Sequence, residues 1–243
     1  MQRPLAGRIT LVTGASRGLG RAAALALAEA GSHIVAVART VGGLEELDDE
    51  IRRIGGEATL VPLDLKDGNA IDTLGAIIFQ RWGRVDGVLG NAGVLGVITP
   101  VSHLDVKVWD EAIAVNLTAN WRLIRSMDPL LRQSPSGRAL FITSAAPRSL
   151  RPYWGAYSVT KAGLEALVRT YAGESARTAI RANLIDPGPL RTAMRAKAMP
   201  GEDPMTLREP SAVTPKIVEM LSPSFDANGT IFDVRAQASL EFA

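Results

Sequence analysis

A tyrosine and a lysine four residues apart, Tyr157 and Lys161, are the side chains in this sequence best suited to move a proton. They lie in a segment, Tyr157–Ala176, that is predicted to be a helix, where side chains four apart share one face. A phenol titrates near pH ~10, but a neighbouring ammonium stabilises the phenolate and lowers that pKa. The pair could therefore take a proton from an alcohol or return one to a carbonyl oxygen. Taken in isolation, an ordinary exposed pair on a helix surface explains it better.

Ser144 directly follows a predicted strand, Arg138–Thr143. Open α/β sheets bind ligands at the carboxyl ends of their strands. A hydroxyl in that place can donate a hydrogen bond to a substrate oxygen and stabilise the negative charge that develops there. Thr143 competes for the same role, and a serine that only caps a turn is the alternative reading.

Asn116 lies inside a long region predicted to be helical, Leu104–Leu131, in which Pro129 marks a place for a bend. Asparagine is a mediocre helix former. The mismatch between this residue and its predicted element suggests a functional role. A surface position or local hydrogen bonding is the alternative.

A glycine-rich stretch, Thr13-Gly-Ala-Ser-Arg-Gly-Leu-Gly20, joins the first predicted strand to the first predicted helix. Glycines at 14, 18 and 20 would let the backbone turn tightly and approach a pyrophosphate, which would meet the free N–H groups of the helix end. The spacing is G-x-x-x-G-x-G rather than G-x-G-x-x-G, and a plain turn is the alternative. The position between strand and helix favours a dinucleotide.

The end of the second predicted strand indicates which dinucleotide. Folds that prefer NAD usually place an acidic residue there to bind the ribose 2′-hydroxyl. Here the segment Ala36–Thr40 has no carboxylate and carries Arg39 instead, while Arg17 lies in the glycine stretch. Two guanidinium groups suit a 2′-phosphate, which predicts NADP, with NAD less favoured. Two solvated surface arginines are the alternative.

Strands and helices alternate along the whole chain, which predicts a single α/β domain over residues 1–243. Its fold would be a doubly wound Rossmann fold, with about seven parallel strands and helices on both faces. An irregular segment, residues 189–210, is expected to be a substrate lid, and its methionines could line a pocket or pack against the body. The predicted strands are Arg8–Thr13, His33–Ala38, Ala58–Leu63, Val85–Gly90, Arg138–Thr143, Ile180–Ile185 and Thr230–Val234. The other predicted helices are Gly18–Ala30, Val41–Ile54, Asn69–Trp82 and Ala212–Leu221.

With these residues in order along nearly the whole chain, the sequence resembles the short-chain dehydrogenase/reductase family. The motifs that carry the resemblance are TGASRGLG at 13–20, Asp64-Leu65, Asn91-Ala-Gly93, Asn116, Ser144, Tyr157-x-x-x-Lys161, and Pro187-Gly188 with Thr192. The resemblance implies nicotinamide-dependent redox chemistry and favours Ser144 over Thr143. It also implies that Lys161 holds the nicotinamide ribose and that Asn116 holds a water linking the lysine to solvent.

The resemblance further implies the cofactor contacts. Asn91, Ala92 and Gly93 would let the adenosine side come close, and Asp64 would meet the adenine amine, unless it caps a turn or the next helix. Pro187, Gly188 and Thr192 would close over the nicotinamide carboxamide. The full set of expected cofactor-binding residues is Gly14, Ser16, Arg17, Gly18, Leu19, Gly20, Arg39, Asp64, Leu65, Asn91, Ala92, Gly93, Tyr157, Lys161, Pro187, Gly188 and Thr192.

Composition excludes several classes of site. The chain has no cysteine, and its two histidines, His33 and His103, lack a ligand-like spacing, so no metal is predicted. A net charge of +2 without clustered basic and aromatic residues predicts no nucleic acid partner. No apolar run reaches the ~18 to 20 residues of a membrane span, and residues 1–7 are too short for a signal peptide, so a cytoplasmic location is expected.

These observations predict an oxidoreductase that moves a hydride between NADP(H) and a small carbonyl or alcohol substrate. The catalytic residues would be Asn116, Ser144, Tyr157 and Lys161. A non-catalytic NADP-binding sensor is the alternative, and an epimerase or dehydratase would need a larger C-terminal region. Arg148 and Arg151, beside Tyr153 and Trp154, could favour an aromatic or acidic substrate, but their solvent exposure is the preferred reading.

The quaternary structure expected from the resemblance is a homo-oligomer, a tetramer rather than a dimer. Trp109, Trp121 and Tyr171 are candidates for a helical interface or for the core. The tail, Asp233–Ala243, departs from the family because it lacks the glycine pair that often follows the last strand.

Overall fold

The alternating strands and helices build a single sheet in a computed structural model that describes residues 3–240. The strand order is β3-β2-β1-β4-β5-β6-β7-β8, and every pair is parallel except β7 with β8. The strands are β1 (Ile9–Thr13), β2 (His33–Ala38), β3 (Ala58–Pro62), β4 (Gly87–Gly90), β5 (Arg138–Ile142), β6 (Arg181–Asp186), β7 (Ile231–Asp233) and β8 (Ala238–Ser239).

Helices cover both faces of this sheet. They are α1 (Gly18–Glu29), α2 (Val41–Arg53), α3 (Gly68–Trp82), α4 (Val106–Ile113), α5 (Ala119–Leu131), α6 (Ala146–Ser149), α7 (Gly155–Glu174), α8 (Ala193–Ala198) and α9 (Thr214–Met220). Short 3₁₀ turns lie at Val101–His103, Pro204–Thr206 and Pro210–Val213. Within residues 3–240, no helix combines the length and apolarity needed to cross a membrane.

Successive side chains of each strand point to opposite faces of the sheet, so the core consists of two apolar clusters. In β1, Val12 belongs to the cluster with α1, α2 and α9, whereas Leu11 belongs to the cluster with α3, α5 and α7. In β2, Ile34 and Val35 divide in the same way. Because successive side chains of a strand point to opposite faces, a strand buried on both sides is apolar throughout. The predicted doubly wound Rossmann fold is confirmed.

The strand order reverses between β1 and β4, which are neighbours although β2 and β3 separate them along the chain. In a doubly wound sheet this reversal opens a crevice at the carboxyl ends of the two strands. The glycine-rich stretch follows β1 and Asn91 follows β4, so both begin at this crevice.

Three local predictions differ from the structure. The region Leu104–Leu131 is not one helix: a π-helical turn, Ala114–Thr118, separates α4 from α5, while Pro129 lies inside α5 without ending it. The segment 189–210 contains α8. An eighth, antiparallel strand follows β7, and Gln237 takes φ +54° in the connecting turn, a conformation that glycine adopts more readily. The last three residues of the tail, 241–243, lie outside the described residues.

Candidate active site

Hydrogen bonds tie together the turns that follow β1 and β4. The backbone N–H groups of Asn91 and Ala92 donate to Thr13 Oγ1, at 3.0 and 3.1 Å, and the Asn91 side-chain amide donates to the Thr13 carbonyl oxygen at 2.9 Å. Gly14 has φ +68°, and a Cβ there would lie 2.9 Å from Asn91 Nδ2. A Cβ on Gly20 would collide with the Gly14 carbonyl oxygen. Both positions need glycine because the two turns are in contact.

Helix α1 begins inside the glycine-rich stretch, at Gly18. Arg17 occupies the N-cap position, and among the described residues no side chain caps this helix end and no acidic residue lies in its first turn. Gly18 has φ +57°, and the nearest atom to a Cβ there would be Thr192 Cγ2, at 3.6 Å. Free N–H groups and the positive end of the helix dipole are suited to a pyrophosphate. The turn therefore fits a dinucleotide.

Two exposed arginines border this turn. Since β1 and β2 pair in parallel along their length, Arg17 after β1 and Arg39 after β2 leave the sheet at the same edge. Ser16 packs against the first turn of α2, where a Cβ on Gly43 would lie 3.0 Å from the Ser16 Cβ. Arg17 and Arg39 therefore lie in two turns at the same edge of the sheet.

Asp64 closes a turn after β3. Its Oδ1 accepts a hydrogen bond from the Lys66 N–H at 3.0 Å, whereas the cap of α3 is Asp67, whose Oδ1 accepts from Ala70 at 3.0 Å. Leu65 is half-buried and packs against the core cluster under α3. Asp64 thus caps a turn and does not cap the next helix. Its second carboxylate oxygen, Oδ2, lies 3.9 Å from the Lys66 ammonium.

The structure brings Ser144, Tyr157 and Lys161 together at the carboxyl end of β5. The Ser144 hydroxyl lies close enough to the Tyr157 phenol to lower its pKa by hydrogen bonding. Lys161 Nζ donates to the Ile142 carbonyl oxygen at 2.7 Å and lies 5.8 Å from the centre of the Tyr157 ring. A Cβ on Gly93 would lie 3.9 Å from that ammonium, so the turn after β4 borders the same group.

The two hydroxyl groups at the end of β5 have different partners. Ser144 Oγ accepts a hydrogen bond from the Ala146 N–H at 3.1 Å, which is the turn-capping contact, and its own proton can still donate. Thr143 is buried and donates its hydroxyl to Glu165 Oε1 at 2.6 Å. Thr143 is therefore occupied, and Ser144 faces the phenol.

Asn116 lies in the π-helical turn and is fully buried. Its Oδ1 accepts from the Val94 N–H at 2.8 Å, and its Nδ2 donates to the Val94 carbonyl at 2.9 Å and to Thr160 Oγ1 at 3.0 Å. Its own carbonyl accepts from the Asn120 side chain at 2.8 Å. The hydrogen bonds of the side chain reach residues 22 and 44 positions away and join the turn after β4 to α7.

The segment after β6 turns back toward the crevice. Pro187 is buried, and the Gly188 N–H donates to Asp186 Oδ1 at 3.0 Å. Thr192 caps α8, with its Oγ1 accepting from the Arg195 N–H at 3.2 Å, and its methyl group is the one that faces the glycine turn. The first part of the predicted lid therefore lies over the amino end of α1.

Arg148 is exposed to solvent, as predicted, but it is also ion-paired. Its guanidinium is not free in solvent: Nη1 donates to Glu165 Oε1 at 2.8 Å and Nη2 donates to Asp186 Oδ2 at 2.5 Å. The side chain is 29% exposed. Arg151 is exposed, as predicted.

Apolar side chains stand at the rim of the site and in the lid segment. Trp154 meets the Tyr157 ring edge-on, with 6.0 Å between the ring centres. Tyr153 is 55% exposed and takes φ +75°, which is unusual for a bulky residue. Met194 and Met205 in the lid segment are 38% and 74% exposed.

A family model described as short chain dehydrogenase matches residues 8–203 of the chain. This chain belongs to the short-chain dehydrogenase family. The uncharacterized oxidoreductase YciK of Escherichia coli K12 is 37% identical over 211 residues, which cover 86% of this chain and 83% of that protein.

Solved structures of other short-chain dehydrogenases superpose closely. One from Shigella flexneri 2a, complexed with NADP, has a TM-score of 0.93 at 35% identity and covers 97% of this chain and 100% of its own. Another from Escherichia coli CFT073, complexed with NADPH, has a TM-score of 0.90 at 36% identity, covering 96% and 98%. NADP(H), the cofactor predicted from the sequence, is bound in both.

In this short-chain dehydrogenase, burial changes the acidity of both members of the pair. Burial raises the pKa of Tyr157 to about 12; the hydrogen bond from Ser144 opposes that rise, and the negative charge of Asp186 adds to it. Burial lowers the pKa of Lys161 to about 8, against the attraction of Glu165 and Asp186. At neutral pH the phenol holds its proton and the lysine is mostly a cation. The phenol of Tyr157 and the ammonium of Lys161 are therefore both in their protonated forms at neutral pH.

The sequence prediction missed two carboxylates of this short-chain dehydrogenase. Glu165 and Asp186 are both buried beside the predicted catalytic residues. A signal existed for Glu165, which follows Lys161 by four residues and so shares its helix face. Asp186 ends β6, and its partners on α6 and at Gly188 become neighbours only when the sheet forms.

Proposed function

We propose that the chain is an oxidoreductase that uses NADP(H) to interconvert a small carbonyl compound and its alcohol. The observation that carries this proposal is the contact of the half-buried Ser144 with the half-buried Tyr157 phenol, with the Lys161 ammonium 5.8 Å from the phenol ring. These three groups are a hydrogen-bond donor, a proton donor and a fixed cation. Together they suit the reduction of a carbonyl oxygen.

The cofactor would lie across the crevice between β1 and β4. The open end of α1 would hold the pyrophosphate, and Arg17 and Arg39 would hold a 2′-phosphate, which makes NADP the expected form. The NADP and NADPH complexes of the two structural neighbours support this choice. The remaining contacts are those predicted from the resemblance: Gly14, Ser16, Gly18, Leu19, Gly20, Asp64, Leu65, Asn91, Ala92, Gly93, Tyr157, Lys161, Pro187, Gly188 and Thr192. When bound, the nicotinamide supplies or accepts the hydride.

The chain's own residues would handle the proton. In reduction, the Ser144 hydroxyl donates a hydrogen bond to the carbonyl oxygen, and Tyr157 delivers its proton to that oxygen. Lys161, held by the Ile142 carbonyl, stabilises the phenolate that remains. Asn116 keeps the turn after β4 against α7, and a water on its carbonyl would return a proton toward Lys161. The segment 189–210 would exclude solvent as a lid over the single domain.

A two-stage experiment tests the function. Fluorescence titration with NADPH and with NADH measures each dissociation constant, and we expect tighter binding of NADPH. Aldehydes, ketones and quinones are then screened by following cofactor absorbance. Binding of NADPH with no turnover of any carbonyl or alcohol would favour a non-catalytic NADP sensor and contradict the enzyme assignment.

We also propose a homo-oligomer, a tetramer rather than a dimer. Trp121 is 45% exposed on α5, and Val106 on α4 and Val159 on α7 are 70% and 47% exposed. Tyr171 is only 5% exposed and belongs to the core, and Trp109 is half-buried. Exposed apolar side chains on several helices support self-association. Light scattering after gel filtration should give four chain masses, and a single chain mass at micromolar concentration would contradict it.

A further inference from the structure

A cluster of charged groups lies beside the proposed catalytic residues. One guanidinium, Arg148, bridges two carboxylates: its two Nη atoms donate to Glu165 at 2.8 Å and to Asp186 at 2.5 Å. The same Glu165 oxygen accepts the Thr143 hydroxyl at 2.6 Å. The other Asp186 oxygen accepts the Gly188 N–H at 3.0 Å. The cluster therefore joins four segments of the chain.

Each of those segments carries part of the proposed site. Arg148 belongs to α6, four residues after Ser144. Glu165 lies one helical turn beyond Lys161 on α7. Asp186 ends β6, just before the turn expected to seat the nicotinamide carboxamide. Arg148 thus connects the segments that carry Ser144, the Tyr157–Lys161 pair and the turn at Gly188.

The two carboxylates are largely removed from water, so the loss of Arg148 would be costly. The side chains of Glu165 and Asp186 are 12% and 3% exposed, and that of Arg148 is 29% exposed. Carboxylates removed from water need a partner, and leaving one uncompensated is strongly unfavourable. A planar guanidinium with several donors can satisfy two carboxylates at once, which a lysine ammonium does less well.

We propose that Arg148, Glu165 and Asp186 form a positioning clamp that holds Ser144, Lys161 and the turn at Gly188 in register, and that this clamp serves the proposed oxidoreductase function. Arg148 acts through these neighbours and does not hold the substrate. Both of its Nη atoms are already engaged by carboxylates, so a substrate carboxylate would have to displace one of them.

The clamp also sets the charge around Lys161. Glu165 on the same helix and Asp186 from β6 both attract the ammonium and raise its pKa, against the effect of burial. Arg148 from α6 is a cation paired with both carboxylates, so its removal would leave their negative charge uncompensated near Lys161. Asp233 from β7 acts on Asp186 and raises the pKa of that carboxyl. Removing the positive charge of Arg148 should therefore raise the pKa of Lys161, and removing the negative charge of Glu165 should lower it.

The first test measures the pKa of Lys161 by carbon NMR on protein labelled at lysine Cε. The chain has five lysines, and Lys161→Arg assigns the signal. In Glu165→Gln, which keeps an oxygen for Thr143, we expect the pKa of Lys161 to fall by roughly 0.5 to 1 unit. In Arg148→Met we expect it to rise by a similar amount. An unchanged Lys161 pKa in both variants would overturn the clamp, and this readout needs neither substrate nor cofactor.

Arg84→Met is the matched control. Arg84 Nε lies 3.2 Å from Asp86 Oδ1, and the Asp86 side chain is 3% exposed, like that of Asp186. Asp86 precedes β4, so this pair lies at the opposite edge of the sheet. The control should reduce stability while leaving the Lys161 titration unchanged. An equal change in the pKa of Lys161 in Arg84→Met and in Arg148→Met would contradict a specific effect of Arg148 on Lys161.

Kinetics separate positioning from charge. With any carbonyl substrate that the wild type reduces, Arg148→Met should lower kcat about 10- to 100-fold, with less than about a threefold change in substrate KM. Arg148→Lys should restore the Lys161 pKa but not kcat, because an ammonium cannot bridge both carboxylates. A rise in KM alone would indicate substrate binding by Arg148 instead. Inactive wild-type protein that shows the NMR shifts would refute the proposed function and leave the clamp supported.

Discussion

Asn116 and Thr160 share a buried hydrogen bond, with Nδ2 of the asparagine donating to Oγ1 of the threonine at 3.0 Å. Thr160 in turn donates to the Tyr157 carbonyl at 2.9 Å. The bond links the π-helical turn between α4 and α5 to the turn of α7 that carries Tyr157 and Lys161. This hydrogen bond gives a structural explanation for an asparagine in the middle of a helical region.

Replacing Asn116 should therefore destabilise the fold. Asn116→Ala leaves the Val94 N–H and carbonyl without their partner, and we expect a loss of about 2 to 4 kcal/mol in unfolding free energy. Urea denaturation measures it. Asn120→Ala is the control, a buried asparagine nearby whose amide donates to the Asn116 carbonyl, with an expected loss of about 1 kcal/mol. Equal losses in the two variants would contradict this account of Asn116.

Removing the Tyr157 hydroxyl should abolish proton delivery while preserving the binding site. Tyr157→Phe is expected to lower kcat for carbonyl reduction about 10²- to 10⁴-fold and to leave the NADPH dissociation constant within about threefold. Stopped-flow kinetics and fluorescence titration give the two quantities. Tyr171→Phe removes a hydroxyl that donates to Asp128 at 2.9 Å and should retain activity at low temperature. Wild-type turnover by Tyr157→Phe would exclude it as the proton donor.

The activity should depend on pH through Lys161. Its pKa, lowered by burial to about 8, implies that the ammonium is lost as the pH rises above that value, while Tyr157, with a pKa of about 12, stays protonated. We expect kcat for reduction to fall above about pH 8, because the phenolate left after proton transfer loses its cationic partner. Alcohol oxidation needs the phenolate at the start, so its kcat should rise with pH as the small phenolate fraction of Tyr157 grows toward the pKa of about 12. Rate profiles in both directions between pH 6 and 10 measure this. A reduction rate that stays level to pH 10 would contradict it.

The choice of cofactor should depend on the two arginines at the crevice. Arg39→Ala is expected to weaken NADPH binding about 10- to 100-fold and NADH binding much less, because only NADPH carries the 2′-phosphate. Arg17→Ala should act in the same direction. Arg53→Ala, at an exposed arginine near the end of α2, is the control. An unaltered ratio of the two dissociation constants would remove both arginines from the cofactor site.

The glycine turn should tolerate no side chain where the backbones meet. Gly20→Ala would collide with the Gly14 carbonyl oxygen, so we expect NADPH binding to weaken at least about 100-fold. Gly42→Ala is the matched control: no atom within 4 Å would meet its Cβ, and alanine should stabilise α2 by about 0.5 to 1 kcal/mol. Titration with NADPH and thermal unfolding compare the two. Normal binding by Gly20→Ala would show that the turn can relax.

The amino-acid sequence by itself determined the fold class, because strand and helix signals depend on residues close together in the chain. Runs of mostly apolar and β-branched residues such as Ile9–Thr13 and His33–Ala38 indicate strands buried on both faces, and their alternation with helices leaves few topologies. The pairing of Tyr157 with Lys161 is local too, since four residues make one helical turn.

Only the tertiary structure decided which groups surround those residues. Arg148 reads as a surface arginine until β5, β6 and α7 bring Glu165 and Asp186 to it from 17 and 38 residues away. The π-helical turn at Asn116 contains hydrogen bonds to Val94 and Thr160, which lie 22 and 44 residues away in the sequence. Short-range patterns specify elements, whereas partners of buried charges depend on sheet order, which no local pattern contains.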